Sequence, residues 1–459
     1  MNYPTSPFSS NLKFNNSPVD ISKNDISGEL SIAGCSAVSL VKEYGSPLFV
    51  IDEADFFLRA NAWKSALNES FQGGKLYYAA KSFISIEIAK WLIELDVNLD
   101  VCTGGELAVA LAANFPTDRI EFHGNNKSVA EIEMAVSAGV GTIVIDSFIE
   151  IERIAQVAKS AGKVQNVYIR LTPGVEAHTH EFISTAHEDV KFGFSIASGA
   201  AIAAVEKTLT FDSLNLIGIH CHIGSQIFEV TGFTLAAQRL VATLAEIKEK
   251  FGKALPELNV GGGYGIAYTT VEKSISPQAV LPALAKVIKE ECAKLKLDLP
   301  IISIEPGRAI VGPTTTTIYE VGTTKLVTLD DATTRNYISV DGGMSDNIRP
   351  ALYGAKYSAF LANRESNAKK TSSRVVGKHC ETGDILILDI NLAEDIAPGD
   401  LLAFPATGAY GRSMASNYNH IPRPAVVVVK NGAARSILRR ENEADLLALE
   451  VNQAPRQLS

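Results

Sequence analysis

The chain has 459 residues, 46% hydrophobic and 20% charged, with a net charge of −9. This composition excludes a disordered chain, and the length sets two domains as the expectation. The acidic balance, without any long Lys/Arg run, argues against nucleic acid or an anionic membrane as the main partner. No apolar run reaches the roughly 18 residues of a membrane span, and the opening MNYPTSPFSSNLKFNNSPVD lacks the basic start and apolar core of a secretory signal. The cysteines Cys35, Cys102, Cys221, Cys292 and Cys380 are odd in number, far apart and free of any CxxC pair, which fits free thiols in a reducing cytoplasm.

Residues 1–28 are polar, rich in Ser and Asn, and read as an N-terminal extension, poorly ordered at its start. Residues 29–53 form a segment expected to join a later β domain. From 54 to 312, short apolar runs alternate with stretches of helical period. The runs are LYYAA at Leu76, LDVCT at Leu99, IEFHG at Ile120, TIVID at Thr142, VYIRL at Val167, GIHCHIG at Gly218, LNVGGG at Leu258 and ISIEPGR at Ile302. Helical patterns such as EIAKWLIEL, GELAVALAANF, EIERIAQVAKSAG and LPALAKVIKEECAKL lie between them. Strand–helix alternation of this kind predicts a parallel (β/α)8 TIM barrel. From 313 to 459 the strands become β-branched and are separated by turn signals, PGD at Pro398 and the Asn431–Gly432 pair. This predicts an all-β C-terminal domain, a barrel or sandwich, with the Asn-Gly pair closing a hairpin. The polar stretch Arg364–Ser373 reads as a surface loop.

A (β/α)8 barrel displays its chemistry at the C-terminal strand ends. Here Lys81, Asp100, His123, Arg170, His220, His222, Ser225, Gly261–Gly263, Glu305 and Arg308 crowd those ends. A lone strand-end Lys81 is ordinarily a solvated charge, but a half-buried one loses its proton more easily and can form a Schiff base. The glycine run is ordinarily a tight turn, but after a strand its N–H groups suit a phosphate. Arg308 in EPGR is ordinarily half of a surface ion pair, but its planar fork also suits a phosphate or carboxylate. Together with a carboxylate, these are what pyridoxal phosphate requires. The cluster His178, His180, Glu181, His187, Glu188 and Asp189 lacks the helical pairing of an HExxH metal site and reads as a lid or subunit-contact loop, so no metal is expected. Cys102 and Cys221 flank strands and read as packing residues, and Lys191 as a buried ion-pair partner.

The ordered motifs YYAAKSF (77–83), LDVCTGGEL (99–107), HGNNKS (123–128), HCHIGSQ (220–226), GGGYG, EPGRAIVGP, DGGMSDNIRPALYGAKY (341–357), GKHCETGDIL (377–386) and GAYGRSMASNYN (408–419) resemble the fold-type III pyridoxal-phosphate-dependent decarboxylases, relatives of the alanine racemase-like barrels. The resemblance runs from about Tyr44 to Glu450 and is strongest to the members that convert meso-2,6-diaminopimelate to L-lysine and CO2, the last step of lysine biosynthesis. It departs at Gly411, where some relatives carry Cys, and at Thr382, often Ser. It implies pyridoxal 5′-phosphate held by a Schiff base at Lys81, with His222 stacked on its ring. Ser225, Gly261, Gly262, Gly263, Arg308 and Tyr410 are implied around the phosphate, and Glu305 at the pyridine nitrogen. It further implies that Arg308, Arg349, Tyr353 and Tyr410 contact the substrate, that Glu381 holds its distal amine, and that Cys380 is a catalytic proton donor. Cys380 and Glu381 are implied to enter from the second subunit of a homodimer with shared active sites. Racemases of this scaffold place an arginine opposite the ring nitrogen, so Glu305 favours decarboxylation. Two rivals stand beside this reading. A polyamine-pathway decarboxylase acting on ornithine, arginine or carboxynorspermidine conflicts with Arg308 and Arg349, which suit a distal carboxylate. An inactive regulatory paralogue conflicts with the presence of both Lys81 and Cys380.

Overall fold

The structure, a computed structural model, describes residues 21–23, 28–175 and 191–451. The His178–Asp189 cluster and most of the N-terminal extension lie outside the described residues. The described residues divide into two compact units. One comprises Phe57–Ile266 with Lys273–Ile310; the other comprises the residues before Phe57, Ala267–Glu272 and those from Val311 onward. The described residues contain no helix long and apolar enough to cross a membrane.

The first unit is a closed barrel of eight parallel strands: β1 (Lys75–Ala79), β2 (Asn98–Val101), β3 (Ile120–Phe122), β4 (Thr142–Ile145), β5 (Gln165–Thr172), β6 (Leu214–Cys221), β7 (Glu257–Asn259) and β8 (Ile301–Ile304). Neighbours pair in chain order, and the ring closes where Ser303 and Ile304 of β8 meet Lys75 and Leu76 of β1. The strands are near-continuous apolar runs because helices cover their outer face and side chains fill the interior. β6 begins four residues before the apolar run that marks it in the sequence, since Leu214–Ile217 alternates in exposure. The GGGYG and EPGR segments are loops beyond β7 and β8, and Lys81 lies in the 3-10 turn Ala80–Ser82. Two helices escape the sequence pattern. Glu53–Ser70 does so because Phe56, Phe57 and Leu58 run together and are followed by a buried Arg59, which hides the period. Ala200–Thr208 does so because alanines carry its buried face.

Capping residues end the loops at the barrel mouth. Ser85, Thr103, Ser128, Ser147 and Ser276 each accept a hydrogen bond from the backbone N–H three residues on. Each such cap contributes about 1 kcal/mol, and at these positions the caps also fix the loops that carry the polar residues.

In the second unit, Leu48–Asp52 is a sheet strand between Thr315–Thr328 and Ala425–Lys430, antiparallel to the first and parallel to the second. Its Leu48 and Val50 pack with Ile318, Ala403, Val427 and Val429 in the core. Asn431 (φ 51°) and Gly432 (φ 77°) join Ala425–Lys430 to Ala433–Leu438, the left-handed pair that a two-residue hairpin turn needs. The loop expected over Arg364–Ser373 holds for residues 364–369 and is corrected from Lys370 onward. Lys370–Val376 is a strand paired with both Thr334–Val340 and Ile385–Ala393. Its first half is polar because alternate residues are exposed, which conceals the strand in sequence.

Lys127 of the HGNNKS motif is buried inside the barrel unit. Its Nζ lies 3.0 Å from Glu150 Oε1 and donates to Gly124 O (2.6 Å) and Val144 O (2.8 Å), tying the loop after β3 to β4. Lys127→Ala leaves Glu150 as a buried carboxyl without its cation, and is expected to lower unfolding stability by roughly 3–5 kcal/mol. Urea unfolding followed by circular dichroism measures this; a loss below about 1 kcal/mol would reduce the pair to surface-like strength.

Candidate active site

The short βα loops bring the polar strand ends together at one barrel mouth. Lys81 is about one-third exposed, and its Nζ lies 3.8 Å from Asp100 Oδ2 at the end of β2. Burial pushes the Asp100 carboxyl up to about 7 against the opposing pull of Lys81, with Glu305 adding to the rise. Beyond β6, the Nδ1 of His222 faces the backbone N–H of Gly262 at 3.3 Å, which sets the tilt of the ring. Burial, then the charges of Lys81 and Arg170, hold this imidazole well below its ordinary range, so it stays neutral. Arg308 donates through Nη2 to Ser225 Oγ at 2.9 Å.

Gly261–Gly263 pass so close to neighbouring backbone that no side chain fits. A Cβ would come within 2.2 Å of Cys221 O at Gly261, Glu305 O at Gly262 and Gly224 O at Gly263. Gly261 and Gly263 also have φ of +71° and +105°. The loop therefore offers bare backbone beside Ser225 and Arg308, which is the cradle a phosphate needs. A lysine, a neutral imidazole face and a buried carboxylate share that mouth, so the residues present fit pyridoxal phosphate.

Glu305 follows β8 and is buried, with 3% of its surface exposed. Its Oε1 lies 3.1 Å from His220 Nε2 and 3.5 Å from His123 Nε2, and accepts from Asn259 Nδ2 at 2.9 Å. Burial alone would raise this carboxyl, yet His123, His220 and Lys81 hold it well below the usual carboxylate range. Glu121 behaves oppositely: burial and the charge of Glu305 push it well above that range, so it holds its proton. His123, His220 and Glu305 bring three ligand-type atoms within 4.8 Å of one another. The sequence marked His123 and His220 as polar strand ends without a role and missed Asn259 and Glu121. Asn259 stands two residues before the glycine run, and Glu121 two before His123; an inward polar residue in each of two apolar strands was the available signal.

The remaining candidates lie in the second unit. Arg349 is buried, donates to Tyr357 Oη, and sits with its guanidinium carbon 4.3 Å from the centre of the Tyr268 ring. The sequence did not single out Tyr268 or Tyr357. Tyr353 shares the short helix Arg349–Tyr353. Tyr410 has φ +60°, a strained conformation for a bulky residue. The glycine after it, Gly411, is close-packed, since a Cβ there would come 2.7 Å from Thr407 O. Cys380 and Glu381 are exposed on the turn between Lys370–Val376 and Ile385–Ala393. Beneath them, Asp384 Oδ2 is 2.8 Å from His379 Nδ1 and accepts from His379 N at 2.9 Å, while Cys380 N donates to Asn419 Oδ1 at 3.2 Å. Burial raises the thiols of Cys102 and Cys221, the latter to about 12, which suits packing. Lys191 is exposed, 5.0 Å from the Phe192 ring centre, and so is not the buried partner expected from sequence.

Residues 53–312 match the family model described as "Pyridoxal-dependent decarboxylase, pyridoxal binding domain". The chain is 52% identical over 428 residues to a diaminopimelate decarboxylase of Mycobacterium tuberculosis, covering 92% of this chain and 95% of that protein. It is 45% identical over 430 residues to that of Bacillus subtilis, covering 94% and 97%. The crystal structure of a diaminopimelate decarboxylase from M. jannaschii in co-complex with L-lysine superposes with a TM-score of 0.86 at 32% identity, covering 95% of this chain and 98% of that one.

Gly262→Ala must push the loop away from Glu305 O. It is expected to weaken retention of pyridoxal phosphate by about tenfold or more, equivalent to about 1.4 kcal/mol. Equilibrium dialysis of the cofactor-stripped protein measures this; affinity within about twofold of wild type (~0.4 kcal/mol) would count against the cradle.

Proposed function

Because the chain belongs to the pyridoxal-dependent decarboxylases, and within them to the diaminopimelate decarboxylase family, we infer that it binds pyridoxal 5′-phosphate and converts meso-2,6-diaminopimelate to L-lysine and CO2, the last step of lysine biosynthesis. The observation that carries the reading is the shared rim: Lys81, the bare Gly261–Gly263 loop and the ionised Glu305 open onto one barrel mouth.

When bound, pyridoxal phosphate supplies a ring that accepts the electrons left on Cα as CO2 departs. Lys81 supplies the amine that tethers the cofactor. The bare Gly261–Gly263 loop, with Ser225, Arg308 and Tyr410, would surround its phosphate, two of the loop's N–H groups being held by Asn259 and His222. His222, neutral and fixed by Gly262, offers a flat face to the ring. Glu305 keeps a proton on the pyridine nitrogen by lending it a negative partner. Cys380 returns a proton to Cα. Arg308, Arg349, Tyr353 and Tyr410 receive the substrate, with the two guanidinium groups taking its distal carboxylate and Glu381 its distal amine. A distal amine without a carboxylate would set like charge against Arg308 and Arg349, so the reading disfavours ornithine and other amines that end without a carboxylate.

The active unit is a homodimer in which the turn bearing Cys380 and Glu381 serves the other subunit's barrel. Two features support this. Both residues point outward, and Leu352 and Leu388 stay 47% and 55% exposed nearby, on elements that line one mostly apolar cavity. The proposed compartment is the cytoplasm, a reading that the five free cysteines support.

Supplied with pyridoxal phosphate, the purified protein is expected to release CO2 and lysine from meso-diaminopimelate and no CO2 from ornithine or arginine. Comparable turnover of ornithine would transfer the reading to the polyamine rival. The shared site has its own test. Lys81→Ala and Cys380→Ala are each expected to be inactive, yet mixed heterodimers contain one site with both defects and one with neither. Up to about half the activity per heterodimer should return; no return from verified heterodimers means each subunit uses its own Cys380.

A further inference from the structure

Asn259 is the last residue of β7 and is wholly buried. Its amide makes three hydrogen bonds. Nδ2 donates to Glu305 Oε1 at 2.9 Å and to Glu121 Oε2 at 2.8 Å, and Oδ1 accepts from the backbone N–H of Gly261 at 2.8 Å. Only a primary amide in this orientation satisfies all three groups. Reversed, it would set oxygen against two carboxyl groups and N–H against N–H. An aspartate would place a third carboxyl on the barrel floor.

We propose that Asn259 is a positioning residue that ties the phosphate-cradling glycine loop to the Glu305 carboxylate, with His123 and His220 as its counterparts on the same carboxylate oxygen. The proposal rests on the pyridoxal phosphate reading of the site. The bond to Gly261 fixes where the cradle begins, and the bond to Glu305 fixes where the ring nitrogen's partner ends. One side chain thereby sets the distance between the two ends of a rigid cofactor. The strand register supports the arrangement, since His220 of β6 and Ser303 of β8 are the direct neighbours of Asn259 in the barrel. The rings of His220 and His123 meet edge to face at 4.9 Å beside Glu305. Glu121, the second carboxyl on Asn259, lies 3.2 Å from His123 Nε2 and closes the circuit. The opposite behaviour of the two carboxyls fits this geometry: an amide bridges a protonated Glu121 and an ionised Glu305, and the charge stays at the end facing the mouth.

The test is a double-mutant cycle on the cofactor-loaded enzyme with Asn259→Asp and Glu305→Gln, read by cofactor affinity, by the visible spectrum of bound cofactor and by kcat and KM. Asn259→Asp alone should weaken cofactor retention by about tenfold or more, shift the spectrum in the same sense as Glu305→Gln, and lower kcat with KM changed less than about threefold. In the Glu305→Gln background the same substitution should change kcat and spectrum by less than about threefold, because its effect passes through Glu305. His220→Phe removes a second neighbour of the same Glu305 oxygen; it should reproduce the spectral shift, and His220→Gln should largely restore the wild-type spectrum. These two variants carry the test if Asn259→Asp does not fold. Additive effects in the cycle, or an unaltered spectrum in Asn259→Asp and His220→Phe, would overturn the positioning role. So would a stoichiometric divalent metal found on His123, His220 and Glu305 in the active enzyme. Failure of the wild-type protein to take up pyridoxal phosphate would overturn the underlying reading of the site as well, and is seen before any variant is made.

Discussion

A carboxylate at the floor of a parallel barrel is out of reach of bulk water, and an ionised one survives there only if fixed dipoles replace the solvent. Glu305 is in that position. Asn259 donates to it, the Nε2 atoms of His123 and His220 face it, and its own backbone N–H is held by Gly261 O at 3.0 Å. These groups come from three strands: Asn259 ends β7 and Gly261 follows it, His123 lies just beyond β3, and His220 lies on β6. The charge thus depends on the barrel, whose register brings residues of separate strands to one point. The caps at Ser85, Thr103, Ser128, Ser147 and Ser276 and the buried Lys127–Glu150 pair serve the same end by holding the loops above that floor.

The glycine loop answers to the same constraint from above. Its backbone runs against Cys221 O, Glu305 O and Gly224 O at distances that leave no room for a Cβ. Close packing of three loops is what brings the cradle and the carboxylate within the reach of one amide. A looser loop could still bind an anion, but it would not bind it at a fixed distance from Glu305. Rigidity of this kind matters for catalysis because the electron-accepting ring gains only from a partner aligned with its nitrogen throughout the reaction.

Much of this was legible in the sequence, for identifiable reasons. Fully buried parallel strands appear as unbroken apolar runs, so β1 to β8 stand out, and strand ends flanked by glycine or charge mark the mouth. The Asn431–Gly432 turn was legible because few dipeptides accept two left-handed residues in succession. Lys370–Val376 was not, because its first half alternates polar residues toward solvent, and the helix Glu53–Ser70 was not, because Phe57 and Leu58 blur its stripe. Roles for Lys81, His222, Glu305 and Arg308 came from a family resemblance and not from period or spacing. Asn259 and Glu121 were missed because a polar residue in a three-residue strand carries no periodic signal, and only the structure shows that Asn259 bridges Glu121 and Glu305.

The two units contribute unlike chemistry, and the contrast bears on how the protein works. At the barrel mouth Glu305, His220, His123 and Asn259 are fixed by burial and close contacts, which on the proposed reading suits a site that holds a cofactor. Cys380 and Glu381 instead stand exposed on a turn, although the turn itself is firmly built: Asp384 binds His379 twice and also accepts from Met344 N at 2.7 Å, and Tyr418 stacks on the His379 ring. On that reading, the rigid base beneath this exposed tip suits a group that enters the partner subunit's site. In an isologous dimer each subunit offers that tip and receives one. On the proposed reading, the thiol that returns a proton to Cα is then absent from an isolated barrel. A monomer could bind cofactor and still lack its proton donor, so assembly, and not cofactor binding, would switch on the complete reaction.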